Sequence, residues 1–376
     1  MKRFILPLLL IISIISLITT NTMKQKQLNY EYLDSDMLFS TIDNKRVYTK
    51  LINSEEEPKL LILTEDQENV NVNVNVRVYD FNKSSYILDN NLGYISDDEP
   101  FKIRISNFPM SNIYLFNSTH IITIPTFSPG SISVSSLNEP YKDLYPTSYY
   151  NFFVYESSPK ILKSNSKDFN IEYILTPKED NNFILNIHNI VSIDTLNNTT
   201  IYYNKPESGS MNLYSYPLNT NYTLSPLEKE TKLHENIYYS SELFSDNYSR
   251  GSLSVSKEEN NLYNLKLFSD NTTDSLNIKS SKTPIASGYK TYAGTKIVFS
   301  SYDSSGKIIS YNPLGSSYET LCYNLPYIEN IDVCPSLGNP NKYLMLFRTN
   351  DNGEIRYHLY NSLDPFEKDI TSLILN

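Results

Sequence analysis

Two stretches near the C-terminus repeat one local pattern: KIVFSSYDSSGKIISY at residues 296–311 and YLMLFRTNDNGEIRY at residues 343–357. Each contains an apolar run, a turn rich in Asp, Asn, Ser and Gly, and a second apolar run. This arrangement is typical of a β-hairpin. The turn glycines, Gly306 and Gly353, are 47 residues apart. We expect both to adopt the positive φ that a tight hairpin turn requires.

The hairpin pattern recurs towards the N-terminus at similar spacing. It is clear at residues 201–214 and 253–268, and looser copies precede them. The six intervals between turn centres have a mean near 48 residues, and the centres are Gln67, Ser118, Ser158, Gly209, Asn260, Gly306 and Gly353. Such a period, with about four short strands per unit, is typical of a β-propeller blade.

The sequence therefore predicts an all-β fold, a β-propeller of seven four-stranded blades, with six blades as an alternative number. Tandem β-sandwiches remain an alternative fold, because hairpins recur in them at irregular spacing. We expect residues 23–376 to form a single propeller domain. Two short runs, residues 37–42 and 46–52, are expected to complete the last blade and lock the ring.

The N-terminus has the three parts of a secretory signal peptide. A basic start, Lys2 and Arg3, precedes an apolar run over residues 4–18 and a polar segment that ends at Thr22. The run is shorter than the ~20 residues that span a bilayer. We therefore expect residues 1–22 to be a signal peptide, with an uncleaved anchor as the alternative. The chain is then secreted or held at the extracellular surface, without membrane insertion after cleavage.

Two cysteines, Cys322 and Cys334, lie close together in the sequence. An even number of cysteines in an exported chain favours a disulfide bond. We therefore expect a Cys322–Cys334 disulfide, with two buried thiols as the alternative.

Seven sequons make the chain a candidate glycoprotein. Their number is what chance predicts for this content of Asn, Ser and Thr, so it does not by itself indicate a glycan coat. The candidate glycosylation sites are Asn82, Asn117, Asn197, Asn198, Asn221, Asn247 and Asn271.

The formal net charge of −10 restricts the choice of partners. Nucleic acids and anionic membranes attract clustered positive charge, so neither is an expected partner. The chain has no glycine-rich phosphate loop, and no cofactor is expected. The four histidines, which have no metal-ligand spacing, are His120, His188, His234 and His358. No metal site and no Gly-x-Ser-x-Gly serine hydrolase are expected.

The turn at residues 349–353, TNDNG, resembles the Asp box of sialidase-type propellers, and residues 301–306 form a looser copy. The aromatic residue that closes the family motif is displaced, since Arg356 occupies its place. In that family the turn is structural, so the resemblance implies a propeller fold and no active site. The few arginines of the mature chain do not reproduce the family's arginine motif.

A propeller-type glycoside hydrolase would need two carboxylates that line a cavity. The candidates are acidic residues within apolar runs: Glu172, Asp194 and Asp332. Tyrosine is the other abundant functional residue type. The pairs Tyr149-Tyr150, Tyr202-Tyr203 and Tyr238-Tyr239 are candidates to stack on sugars or to anchor a protein, unless they replace Trp in the core.

These observations favour a non-enzymatic binding or adhesion platform for a protein or carbohydrate ligand. The alternatives are a secreted propeller-type glycoside hydrolase and an extracellular coat or matrix protein. Catalytic and ligand-binding residues remain unassigned at this point.

Overall fold

The computed structural model describes residues 33–34, 39–42, 45–52, 57–68, 71–95, 101–105, 112–117, 120–125, 132–136, 141–146, 150–155, 161–165, 171–175, 187–192, 199–207, 210–218, 230–245, 251–269, 272–291, 294–339 and 341–376. The expected signal peptide lies outside these ranges. Among the described residues, no helix is long and apolar enough to cross a membrane.

The described chain is almost entirely β-structure, with one short helix, α1 (Thr371–Leu375). The strands are β1 (Leu33–Asp34), β2 (Ser40–Ile42), β3 (Lys45–Ile52), β4 (Lys59–Glu68), β5 (Asn71–Asp80), β6 (Ser85–Ile95), β7 (Lys102–Ile105), β8 (Asn112–Phe116), β9 (His120–Pro125), β10 (Ser133–Ser136), β11 (Tyr141–Pro146), β12 (Tyr150–Tyr155), β13 (Ile161–Asn165), β14 (Ile171–Leu175), β15 (Ile187–Ser192), β16 (Thr199–Glu207), β17 (Ser210–Leu218), β18 (Thr231–His234), β19 (Ile237–Glu242), β20 (Phe244–Ser245), β21 (Gly251–Lys257), β22 (Leu262–Ser269), β23 (Thr272–Lys279), β24 (Ala286–Thr291), β25 (Gly294–Tyr302), β26 (Gly306–Asn312), β27 (Ser317–Leu325), β28 (Tyr327–Pro335), β29 (Tyr343–Asp351), β30 (Glu354–Asn361) and β31 (Asp364–Asp369).

The strands form seven sheets, which are the blades of a propeller and are numbered here in chain order. Each blade has four strands in antiparallel order, and three short strands, β1, β2 and β20, add to the inner edges of blades 5, 1 and 6. The four main strands of the blades are β3–β6, β7–β10, β11–β14, β15–β18, then β19 with β21–β23, then β24–β27 and β28–β31.

Both the predicted number of repeat units and the predicted positions of their turns are confirmed. All seven expected turn centres lie at or beside the connection between the second and third main strand of a blade. The last blade shows this clearly, since Gly353 joins β29 to β30. The four main strands of each blade pair with their neighbours in sequence, so the spacing of apolar runs is enough to specify these pairs.

The blades pack side by side around a ring, which rules out the alternative of tandem sandwiches. Successive innermost strands contact one another from blade 2 to blade 7 and on to blade 1, through β7, β11, β15, β19, β24, β28 and β3. Blade 1 meets blade 2 through a shared apolar core. This arrangement buries both faces of the blades, which a single sheet cannot do by itself.

Alternating residues of each strand supply the cores between blades. In β5 the pattern NVNVNVRV places four valines on one face, and these pack with Phe101 and Ile103 of blade 2. The four are at most 3% exposed: Val72, Val74, Val76 and Val78. Full burial of one such side chain contributes roughly 1.5–3 kcal/mol, so each interface rests on several of them.

The ring closes in a different way from the expected one. Residues 40–52 form β2 and β3 of blade 1, and blade 7 is built from residues 327–369 alone. The prediction that the N-terminal runs complete the last blade is therefore wrong. Blade 7 instead packs against blade 1, where the Asp332 Oδ2 atom accepts a 2.6 Å hydrogen bond from the Leu51 backbone N–H. The four C-terminal strands already pair among themselves, which leaves no vacant strand position.

Both ends of the described chain reinforce this closure. The Ser40 hydroxyl of β2 accepts hydrogen bonds from Arg348 Nη1 at 2.8 Å and from the Tyr357 hydroxyl at 2.7 Å, both in blade 7. Helix α1 packs on blade 1, where Arg77 Nη2 donates to the Ile374 carbonyl at 2.7 Å. A guanidinium at the last carbonyls is favourable, because helix C-termini carry unpaired acceptors.

Two short N-terminal strands lie at the inner edges of two different blades. Strand β1 pairs in parallel with β19 at the inner edge of blade 5, and β2 pairs with β3 at the inner edge of blade 1. Blades 6 and 7 lie between these two attachment points. The two strands therefore pair with blades that are not neighbours.

The two turn glycines have different roles. Gly353 has φ of 99° and Asn352 has φ of 53°, so the expected positive-φ turn is confirmed there. Gly306 does not have positive φ, and that prediction is wrong. A Cβ on Gly306 would lie 2.7 Å from the carbonyl oxygens of Leu325 and Pro326, so glycine is required there by close approach of the neighbouring backbone.

We expect Asp332→Ala to lower the free energy of unfolding by about 2 kcal/mol, because it leaves the buried Leu51 N–H without this acceptor. Urea unfolding checks this. Asp364→Ala, at an exposed position of β31, is the control and should change stability by less than about 0.5 kcal/mol. Equal effects of the two substitutions would show that Asp332 does not hold the ring closed.

Candidate functional site

The structure assigns a structural role to the one candidate carboxylate whose side chain it describes. Asp332 is 7% exposed and binds the backbone of blade 1. Glu172 lies in β14, but its side chain is outside the described residues, and Asp194 is outside them entirely. Asp332 is therefore already committed to ring closure, and it offers no carboxylate to a catalytic pair.

The described histidines are far apart in the fold and have local partners. The backbone N–H of His120 donates to Asn117 Oδ1 in a turn of blade 2. His358 stacks on Phe347 and lies 2.6 Å from Glu367 Oε1 in blade 7. His234 lies in blade 4, and the His188 side chain is outside the described residues. Within the described ranges, no three His, Cys, Asp or Glu side chains form a metal-binding group.

Each arginine with a described side chain is bound to a nearby acceptor, so these arginines do not converge on one anion site. Arg104 of blade 2 pairs with Asp143 of blade 3 at 3.1 Å, and both side chains are buried. Arg250 is outside the described residues. The remaining contacts are Arg46 to Glu65 at 3.2 Å, Arg77 to the Ile374 carbonyl at 2.7 Å, Arg348 to Glu329 at 2.9 Å and Arg356 to Glu354 at 2.7 Å.

The expected Cys322–Cys334 disulfide is not formed. Cys322 lies in the outermost strand of blade 6, whereas Cys334 lies in the innermost strand of blade 7. Cys334 packs in the core between blades 7 and 1, and Cys322 packs in the core that blades 5 to 7 share. The short loop between them therefore joins opposite radial ends of two blades, which is incompatible with the close approach that a disulfide requires.

The described glycosylation candidates differ in exposure. Asn82 lies in an exposed turn of blade 1, where a glycan would meet no core. Asn117 is 1% exposed, and its Oδ1 atom accepts the His120 N–H. Five candidates lie outside the described residues: Asn197, Asn198, Asn221, Asn247 and Asn271.

Each of the two tyrosine pairs with described side chains places one ring in the core. Tyr203 and Tyr239 are fully buried, and their neighbours Tyr202 and Tyr238 are half-buried. Tyr149 is outside the described residues, and so is the side chain of Tyr150. Strand alternation puts one member of each described pair into the core, which favours the structural interpretation of those two pairs.

The exposed apolar side chains instead lie on the outer edge of blades 6 and 7. Eight large apolar residues are exposed in the described part of the chain, and six of them belong to these two blades. We call five of these the apolar rim: Leu314, Tyr318, Tyr323, Leu363 and Phe366. Leu314 at 82% and Phe366 at 77% are the most exposed.

Strand β27 positions the two tyrosines of the apolar rim on one face. Its pairing with β26 skips Leu321, so one extra residue lies between Tyr318 and Tyr323. Such a bulge keeps residues five positions apart on the same side of the strand. The Tyr318 ring lies 4.9 Å from the Tyr311 ring, and partial burial beside Tyr311 raises the pKa of the Tyr318 hydroxyl.

The surroundings of the apolar rim are acidic. Glu319 is the only charged residue of β27, and β31 carries Asp364, Glu367 and Asp369 against the single cation Lys368. Burial, with a further contribution from Glu367, raises the pKa of the Cys322 thiol to about 12. This thiol is therefore neutral and adds no charge to the rim.

A second feature is a cleft of about 430 Å³ between blades 4 and 5. It lies where β18 ends and the chain turns into β19. We call this the polar cleft, and its charged and titratable residues are Lys232, His234, Glu235, Lys257, Glu258 and Lys266.

His234 is buried in the wall of the polar cleft. Ser254 Oγ lies 2.6 Å from Nδ1 and Ser256 Oγ lies 2.7 Å from Nε2, so both ring nitrogens are hydrogen-bonded. Burial, reinforced by the Lys266 ammonium and opposed by a hydrogen bond with Asn264, lowers the pKa of His234 to about 3. The ring is therefore neutral at physiological pH and is poorly suited to act as a proton donor.

Sequence reasoning missed both surfaces. Strand β27 has ordinary strand composition and β31 is mostly charged, so the two strands share no sequence pattern that marks them as outermost strands of neighbouring blades. The lysines of the polar cleft come from three strands of two blades, so no spacing in the sequence indicates that they lie close together.

Comparison with known proteins supports the fold alone. No protein-family model matches the chain, and no curated protein matches its sequence. The uncharacterized protein lmo1340 from Listeria monocytogenes EGD-e is similar over 88% of this chain and 97% of its own, with a TM-score of 0.53 and 11% identity. A puromycin hydrolase mutant in complex with PGG is similar over 86% of this chain and 53% of its own, with a TM-score of 0.52 and 6% identity. Hsv2 of Kluyveromyces lactis covers 86% of this chain and 100% of its own, with a TM-score of 0.45 and 11% identity.

We expect both cysteines to titrate as thiols without any reductant. Burial raises the pKa of both, so a thiol-specific reagent should react slowly with the native chain and count two thiols after unfolding in guanidinium chloride. A count of zero thiols in the unfolded chain would establish the disulfide and contradict the structure.

We expect His234 to make the fold less stable in acid. Its pKa is about 3 in the folded state against 6.5 as the ordinary value, so the unfolded chain binds the extra proton. The stabilising contribution of the neutral His234 ring is then fully present above pH 6.5. As the pH decreases towards 3, the free energy of unfolding falls by up to about 1.4 kcal/mol per pH unit. The difference between wild type and His234→Gln in urea unfolding across this range isolates this group. If the free energy of unfolding fell equally with decreasing pH in both proteins, the prediction would be contradicted.

Proposed function

We propose that this chain is an exported, non-enzymatic platform that binds an extended segment of a protein with basic character along the apolar rim. Export is supported by the signal-peptide pattern of residues 1–22. Docking is supported by one observation above all: β27 is a nine-residue edge strand with two exposed tyrosines and a single charge.

Exposed edge strands normally carry features that prevent pairing with other chains. Strand β31 of blade 7 follows this rule, because four of its six residues are charged. Strand β27 is less protected, because it has one charged residue and no Pro and relies on the bulge at Leu321. No described strand pairs with its outer edge, so its backbone groups on that side are open to an added strand.

The side chains of β27 suit a protein partner. Tyr323 is 69% exposed and Tyr318 is 59% exposed, and tyrosine combines large apolar area with a hydroxyl that can remain hydrated. Tyrosines of this kind are frequent among residues that dominate binding energy at protein interfaces. Leu314 extends the apolar rim beyond one end of β27.

Charge favours a basic partner. The acidic residues around the apolar rim outnumber its cations, and the whole chain has a formal charge of −10. A basic segment would be attracted to this edge, and an acidic one would be repelled.

The glycoside-hydrolase alternative has less support. It requires two carboxylates about 5–9.5 Å apart around a substrate cavity. Of the three candidates, Asp332 is bound to the Leu51 N–H, and the other two side chains lie outside the described residues. The extracellular coat alternative predicts self-association of the chain, which sedimentation would detect.

A peptide selection tests the proposed docking. The purified chain is used to select from a phage library of random 12-residue peptides. We expect enrichment of peptides that alternate β-branched or aromatic residues with Lys or Arg. Their affinity should fall at least about tenfold for the double variant Tyr318→Ser/Tyr323→Ser, because the loss of two interface tyrosines removes more than about 1.4 kcal/mol.

The double variant keeps the net charge, so it separates specific docking from general attraction to an acidic protein. Val134→Ser, at an exposed position of the outermost strand of blade 2, is the matched control and should bind as wild type does. Equal affinity of the double variant for the selected peptides would contradict the proposal. The proposal would also be contradicted if no peptide were enriched and the chain instead bound glycans on an array equally well with and without the two substitutions.

A further inference from the structure

Hydrogen bonds to both blades hold the turn that lines the polar cleft. Its turn residue Asn236 has φ of 52°, and its backbone N–H donates to Asn212 Oδ1 in blade 4 at 3.1 Å. The Lys257 N–H donates to the Asn236 carbonyl at 3.4 Å, which ties the same turn to blade 5. A volume of about 430 Å³ lies within the ordinary size of small-molecule sites.

One of its three lysines is neutralised within the protein. Lys232 Nζ lies 2.7 Å from Glu207 Oε2 and 3.2 Å from Glu235 Oε1. Glu207 also accepts hydrogen bonds from the Tyr214 hydroxyl and the Asn212 amide. The Lys232 ammonium is the largest of the causes that lower the pKa of Glu207 to about 2. This network leaves Lys232 little capacity for an external anion.

The other two lysines have no such partner. Neither Lys257 nor Lys266 forms an ion pair with any residue in the described ranges. Lys266 is half-buried beside the neutral ring of His234, whose pKa its ammonium helps to lower. A half-buried cation without a counter-ion is costly, so an anion that enters the cleft gains most from Lys266, whereas Lys257 is exposed and its attraction is screened by water.

The remaining carboxylate sets the charge of the ligand. Glu258 also lines the cleft and forms no ion pair within the described ranges. Three lysines and two glutamates line the cleft, which leaves one net positive charge, and Glu207 beside Lys232 lowers the attraction for a dianion further. A singly charged carboxylate matches this balance, whereas a phosphate dianion would be repelled by Glu258. The polar lining, which includes Asn236, adds hydrogen-bond donors for hydroxyl or amide groups of the ligand.

We propose that the polar cleft between blades 4 and 5 binds a small polar ligand through its carboxylate, which contacts Lys257 and Lys266. The site is on other blades than the apolar rim and does not depend on the docking of a protein there. His234 forms part of the wall and reports on the site, because a bound carboxylate would stabilise its protonated ring.

The test is a titration of ¹⁵N-labelled chain followed by the imidazole signals of His234, with glucuronate, butyrate, glucose and inorganic phosphate as probes. We expect glucuronate and butyrate, which each carry one carboxylate, to bind saturably and to raise the pKa of His234. A preference for glucuronate over butyrate would identify an acidic sugar, and equal binding would identify the carboxylate alone as the recognised group. Glucose, which has no carboxylate, should produce neither effect.

Single variants complete the test. Lys257→Gln and Lys266→Gln should each weaken glucuronate binding about tenfold, which corresponds to the loss of one charge-assisted hydrogen bond. Lys279→Gln, on the exposed outer strand of the same blade, removes the same charge and should have no effect. Binding of glucose as tight as that of glucuronate, tighter binding of phosphate than of both carboxylates, or unchanged binding by Lys266→Gln would each overturn the proposal. The variant Tyr318→Ser/Tyr323→Ser should bind glucuronate normally, so failure of one proposal is separable from failure of the other.

Discussion

A four-stranded antiparallel sheet with apolar residues on both faces cannot cover either face by itself, and the whole structure depends on this constraint. Seven such sheets solve it by packing against each other in a ring. The apolar cores lie between blades, as the valines of β5 against Phe101 and Ile103 illustrate. Stability is therefore shared among interfaces, and the weakest interface limits the integrity of the ring.

Buried polar contacts determine how the blades are oriented at these interfaces. Arg104 and Asp143 join blades 2 and 3, and the fully buried Glu65 accepts the Phe101 N–H at 2.9 Å between blades 1 and 2. Asp332 does the same between blades 7 and 1. Removing one partner of such a contact lowers the stability of the fold by more than the contact itself contributes, because the other group is left buried without a partner. Acidic and arginine side chains that resemble catalytic candidates in the sequence are thus used for assembly.

The exposed surface differs in chemistry from one blade to the next, and these differences suggest where ligands bind. The edge of blade 7 is protected by charge, whereas the edge of blade 6 exposes tyrosine and leucine. The polar cleft between blades 4 and 5 has the opposite chemistry, with two lysines that no described carboxylate neutralises. A ring scaffold permits this division, since each blade edge and each blade junction can vary without altering the cores.

The amino-acid sequence by itself determined the all-β class, the seven hairpin units and their phase, because a hairpin depends on neighbouring apolar runs and on the turn between them. Only the tertiary structure decided how the ring closes, that Gly306 avoids a clash instead of shaping a turn, and that Cys322 and Cys334 lie at opposite ends of adjacent blades. It also decided that Asp332 is structural and that Tyr318, Tyr323, Lys257 and Lys266 are the accessible groups. These outcomes depend on contacts between residues distant in sequence, and the radial position of a strand leaves no periodic signal in the strand itself.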